Sequence, residues 1–172
     1  MEKLVMKTVT RAAVAAGLPA ERVMTESAKD NITLPRPRLE VQMQPATYKR
    51  TGRKLGVTRT KTQHTTKREL YEVSQQVLLN VLAEDANWLS KFGFEFVVAL
   101  PKGVNDARGN WVGIRVQKAT PGKPPVKRVG DAEIVVFTRL NTLFLLTFTG
   151  RVTEEITHDL ITKVNINPQW GK

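Results

Sequence analysis

The sequence predicts an α+β fold in a single domain: a mostly antiparallel β-sheet with helices packed on one face and a long basic β-hairpin arm. Three observations carry that expectation. Apolar residues recur at helical spacing in Glu2–Ala16 and again after Asp85, whereas Arg38–Gln44 alternates apolar and polar side chains as a half-buried strand does. Between two strand-like stretches lies Lys49–Arg68, KRTGRKLGVTRTKTQHTTKR, with eight cations, no acid, and most of the formal net charge of +11. A length of 172 residues fits one domain. Residues 1–172 are therefore expected to form one unit, with 49–68 as a protruding arm and 119–130 as a second long loop.

The N-terminal MEKLVMKTVTRAAVAAGL superficially resembles a targeting peptide. Lys7, Thr8, Thr10 and Arg11 interrupt its apolar residues, so it reads as an amphipathic helix carrying Leu4, Val5, Val9, Ala12, Ala13 and Ala16. Gly17 and Pro19 stop that helix. Leu34-Pro35-Arg36-Pro37 is an extended lead-in, because proline disfavours helix at the preceding residue. In the strand that follows, Leu39, Val41 and Met43 share one side, and Glu40, Gln42 and Gln44 the other.

In the basic segment Gly52 and Gly56 are expected turn points, and the threonines between Thr58 and Thr66 favour extended backbone. Glu69–Glu84 fits both period two and a helix; its β-branched content favours a strand. Asp85 has the chemistry of an N-cap for a helix carrying Trp88, Leu89, Phe92 and Phe96, which stops at Pro101. Gly93 weakens that helix by about 1 kcal/mol relative to alanine, so an irregular centre is expected. PKGVNDARGN (101–110) reads as a turn-rich loop and Trp111–Lys118 as a strand. After the proline- and glycine-punctuated second loop, Ala132–Arg139 and Thr142–Arg151 read as two strands about a turn at Leu140-Asn141. Beyond Glu154 a short mixed tail is expected.

Composition excludes several function classes. With no cysteine there is no disulfide, thiolate metal site or cysteine nucleophile, and two histidines cannot build a histidine-rich metal cage. The longest apolar run, Leu143–Phe148, is strand-sized, against the ~18 residues that suggest a membrane span. His64 sits among arm cations, and His158-Asp159 with Glu154-Glu155 reads as a solvated tail. Asn105-Asp106 and Asn110 lack the acidic spacing and closing glutamate of a calcium loop. No phosphate-binding or nucleophile-elbow motif is present. The expectation is a protein that is not an enzyme and carries no cofactor.

The arm leaves three readings open. It can neutralise phosphates, making the chain a basic nucleic-acid-binding protein. Its interior lacks the aromatic platforms of a single-strand binder. It can be a solvated hairpin whose charges protect a sheet edge. Or it can grip a neighbouring subunit, with Arg50, Arg53, Lys54, Arg59 and Lys61 on the arm and Lys127 and Arg128 on the second loop, beside Lys123, as interface residues.

YEVSQQVLLNVLAEDANWLSKFGFEFVVALPKGVNDARGNWVGIRV, from Tyr71 to Val116, resembles the tail terminator (tail completion) proteins of long-tailed bacteriophages. The matching elements are the strand ending in LAED, the aromatic helix after it, the ALP–glycine–Asn/Asp loop, and the strand opened by Asn110-Trp111. The resemblance implies a structural virion protein forming a ring, usually hexameric, at the head-proximal end of the tail tube. Such a ring stops tube polymerisation and joins the tail to the neck. Its implied partners are copies of itself, the tail tube protein, and sheath and head–tail connector or neck proteins. Genome DNA would pass through the lumen without sequence-specific binding, and no membrane is involved. The implied location is the virion, after assembly in the host cytoplasm. The arm is longer than that family's core leads one to expect.

Overall fold

Helix α1 (Glu2–Ala15) forms where Val5, Val9, Ala12 and Ala13 line one face, and all four are buried. Thr8 lies on the same side, and its hydroxyl donates to the Leu4 carbonyl at 2.8 Å, so no buried polar group is orphaned there. The computed structural model describes residues 1–25, 35–122 and 140–160 in full and the backbone of 126–129 and 132–135. After a 3-10 turn (Ala20–Arg22) come β1 (Val23–Thr25), β2 (Arg38–Met43), β3 (Thr47–Arg59) and β4 (Gln63–Ala83). Helix α2 (Ala86–Ala99) follows, then β5 (Gly103–Asn105), β6 (Trp111–Pro121), β7 (Val126–Val129), β8 (Ala132–Val135) and β9 (Leu140–Asp159).

The architecture is α+β with strand predominating. One sheet runs β1-β2-β4-β9-β6-β5, with β3 also paired to β4; β7 and β8 form a separate two-stranded sheet. Pairing is antiparallel for β2–β4, β5–β6, β6–β9 and β7–β8, and parallel for β1–β2. Tertiary contacts divide the chain into two compact units, a body (Met1–Thr47, Val73–Gly150) and an arm (Tyr48–Glu72, Arg151–Lys172).

In the body, period-two alternation decides which sheet face meets the helices. Leu39 and Val41, then Val77, Leu79 and Val81, then Val112 and Ile114, then Phe144, Leu146 and Phe148 are all buried. They form one core with α1 and with Leu89, Phe92 and Phe96 of α2. Each such buried Leu or Phe contributes about 1.5–3 kcal/mol in area removed from water. Trp88, Phe92 and Phe96 stack along α2 at 4.9 and 5.7 Å, and Phe96 meets Phe144 at 5.5 Å. The Asp85 carboxylate accepts the Asn87 N–H at 2.8 Å, making the expected N-cap.

A polar row fixes the register of the central strands. Arg38, 1% exposed, places Nε 2.8 Å from Glu40, and Asn80, opposite Glu40 in the ladder, donates to the same carboxylate at 3.4 Å. Asn141 donates to Asn80 at 3.1 Å, carrying the row onto β9. Slipping β4 by one residue would strand these groups and turn Val77, Leu79 and Val81 outward.

Several local expectations need correction. Gly52 and Gly56 are not turns but lie within β3; Gly52 has φ +61°, which an L residue adopts only with strain. Leu140-Asn141 is not a turn either: it begins the continuous strand β9, and β8 pairs with β7 instead. Helix α2 runs unbroken through Gly93, because the apolar residues around it seat the helix on the sheet. Ala119–Pro121 extends β6, and the 126–129 part of the second loop is strand. The residues after Glu154 continue β9 to Asp159.

Candidate functional site

The arm is a three-stranded ribbon. Its first hairpin turns between Thr60 and Gln63: the Thr60 N–H donates to the Gln63 carbonyl at 2.9 Å, and the Gln63 N–H donates to the Thr60 hydroxyl at 3.0 Å. On the other side of β4 lies the second half of β9. Gln63 donates to Asp159 at 3.2 Å, Thr65 and Thr157 share a hydroxyl contact at 3.0 Å, and Lys67 pairs with Glu155 at 3.4 Å. The partner number falls as the β4 number rises, so β9 runs antiparallel to β4. The Leu160 N–H donates to the Thr62 carbonyl at 2.7 Å, so β9 reaches the hairpin tip.

Local chemistry explains why so charged a ribbon holds together. Thr51 donates to the Glu69 carbonyl at 3.2 Å, and Tyr48 meets Tyr71 edge-on at 6.4 Å. The Glu69 side chain is only 6% exposed, and Arg151 reaches it at 3.2 Å. Threonine, valine and isoleucine supply β-branched backbone preference along β4 and β9.

Of the expected interface residues, Arg50, Arg53, Lys54 and Arg59 all lie on β3, and Lys61 lies in its turn; all five are exposed. Among the described residues none has an ion-pair partner. Every β3 residue is exposed except Leu55, which is half-buried. Lys127 and Arg128 fall on β7, in the other sheet, with side chains outside the described part, and Lys123 lies outside the described residues. What sequence reading missed is the acidic strand of the same ribbon: Glu154, Glu155 and Asp159 stand exposed on β9. The signal was there in Val152, Thr153, Ile156 and Thr157, a β-branched pattern hidden by the acids between them. The arm's described residues hold nine Lys and Arg against five acids, a weaker cationic field than Lys49–Arg68 alone suggests.

The body offers little chemistry by comparison. A cleft of about 210 Å³ includes Glu84 and Asp85, but Asp85 is engaged in capping α2. A second, of about 220 Å³, is edged by Lys7 and Arg11 over Leu4, Ala12 and Val104, with no acid–base pair. In the turn between β5 and β6, the Asp106 carboxylate accepts the N–H groups of Arg108 and Asn110, each at 2.8 Å, and the Asn110 amide at 3.3 Å. Burial opposes its charge, but these hydrogen bonds and the nearby Arg108 guanidinium prevail and hold its pKa below 3.8. That geometry closes a loop. His64 and His158 both lie on arm strands, and among the described residues no three His, Asp or Glu side chains gather as a metal-holding group. No described helix is long and apolar enough to cross a membrane.

No protein-family model matches the chain, and no curated protein matches it.

Proposed function

We propose that this chain is a ring-forming structural protein that ends a phage tail tube at its head-proximal side and joins the tail to the neck. The observation that carries the reading is the arm: a hydrogen-bonded ribbon whose β3 cations have no ion-pair partner among the described residues, while the two described clefts of the body hold no matched acid–base pair. Exposed charges on a stiff ribbon serve recognition between surfaces more than chemistry. The resemblance of Tyr71–Val116 to tail terminators supplies the biological setting.

In this reading, termination is geometric. One ring face complements the last tube ring, and the other denies a further copy by mismatched shape or facing like charges. Arg50, Arg53, Lys54, Arg59 and Lys61 make contacts to neighbouring rings or subunits, joined by Lys127 and Arg128. The acids on β9 weigh against phosphate binding, since any backbone tracking the ribbon would pass Glu154, Glu155 and Asp159 as well.

Polymerising the tail tube protein of the same genome with and without this chain tests the proposal. Electron microscopy should show tubes capped at one end and arrested in length. Tubes that elongate unchanged, with no density at their ends, would refute the terminator role.

A further inference from the structure

The ribbon has two outer strands of opposite charge. On β3, Lys49, Arg50, Arg53, Lys54 and Arg59 are exposed and no acid is present. On the arm segment of β9, Glu154, Glu155 and Asp159 are exposed, beyond the last register pair of β6 with β9 at Gly113 and Thr149. Among the described strands, β3 pairs only with β4, and this end of β9 pairs only with β4. Among the described residues, therefore, each outer strand has one side that no strand pairs.

We infer that the occupant of each open edge is a second copy of this chain: the basic β3 edge of one arm pairs alongside the acidic β9 edge of the next. This rests on the ring-forming reading and specifies the contact behind it. Charge complementarity selects the pairing. Two β3 edges would set cations against cations, and two β9 edges acids against acids, so an isologous dimer through either edge is disfavoured. Basic against acidic is the favourable combination, and it is heterologous: every copy offers one edge and accepts the other, which generates a ring when the rotation between copies closes.

Chain direction agrees. Strands β3 and β9 are both antiparallel to β4, so they run the same way; arms lying side by side with tips together would pair β9 to β3 in parallel. Open edges are otherwise guarded against indiscriminate pairing by charge, and lysine and arginine on β3 fit that guard while still admitting one partner. Of the β9 acids, Glu155 keeps 60% of its side chain exposed despite its pairing with Lys67, so its outer oxygen stays available.

Charge exchange tests the inference. Sedimentation velocity of the full chain is compared across Arg53→Glu/Lys54→Glu, Glu154→Lys/Asp159→Lys, and all four changes in one chain, with circular dichroism checking that each is folded. The wild type should form multimers that loosen with salt, and either pair of reversals should raise the dissociation constant about tenfold or more. The fourfold variant should recover assembly, which also excludes misfolding as the cause of the losses. Wild-type multimers indifferent to either reversal, or no recovery in the fourfold variant, would overturn the edge pairing and leave the ring reading intact. A wild type that stays monomeric at all concentrations would overturn both.

Discussion

The Arg151 guanidinium lies 3.2 Å from the Glu69 carboxylate, joining a half-exposed cation on β9 to an acid on β4 that is 6% exposed. Removing the cation leaves a buried carboxylate without its charged partner. Arg151→Met should destabilise the protein by about 1–3 kcal/mol, the cost of an unsatisfied buried acceptor, tempered by the solvent access on the Arg151 side. Chemical denaturation measures it, and Glu69→Gln should cost less than Arg151→Met.

The Phe96–Phe144 contact under α2 lies in the buried core of the body. Phe96 is fully buried and Phe144 is 2% exposed, so Phe96→Ala should cost about 3–5 kcal/mol. On the same helix Phe94 is 71% exposed, and Phe94→Ser should change stability by no more than about 0.5 kcal/mol. Comparing denaturation midpoints of the two variants checks the assigned helix face.

Gly103 is held to glycine by its neighbours. A Cβ there would come within 2.5 Å of the Trp111 ring and 2.7 Å of the Val112 carbonyl oxygen, and that backbone atom cannot step aside. Gly103→Ala should destabilise by about 1–3 kcal/mol and alter Trp111 fluorescence. An unchanged melting temperature and spectrum would count against the β5–β6 register.

Asp106 gives the β5–β6 turn an acid sensitivity. Its folded pKa lies below 3.8, so its contribution is fully present above that unfolded value and is lost as pH falls through the lower folded one. Asp106→Asn should therefore lower stability at neutral pH and flatten this part of the acid limb. Hydrogen exchange at the Arg108 and Asn110 amides, which donate to the carboxylate, should accelerate in the variant.

How much of this was legible in the sequence follows from burial. Leu39 and Val41, the Val77–Val81 alternation, the Asp85 cap and the Trp88–Phe96 stripe each face a core, and a buried face imprints its period on the residues. The end of β9 carries no such imprint: Glu154, Glu155 and Asp159 are exposed on a narrow ribbon, so its polar run reads as a tail. Gly52 and Gly56 misled for a related reason, since β3 has no buried face whose alternation could show the strand passing through them. The eight cations of Lys49–Arg68 could be read directly. Their acidic counterpart strand could not, because β9 reaches the arm only by pairing with residues about ninety positions away, such as Thr157 with Thr65.

The most direct measurement is mass photometry of the purified chain with and without a single-stranded and a duplex oligonucleotide at physiological salt. A discrete closed multimer is expected, with a mass that the nucleic acids leave unchanged. A monomer that shifts stoichiometrically onto either oligonucleotide would contradict it.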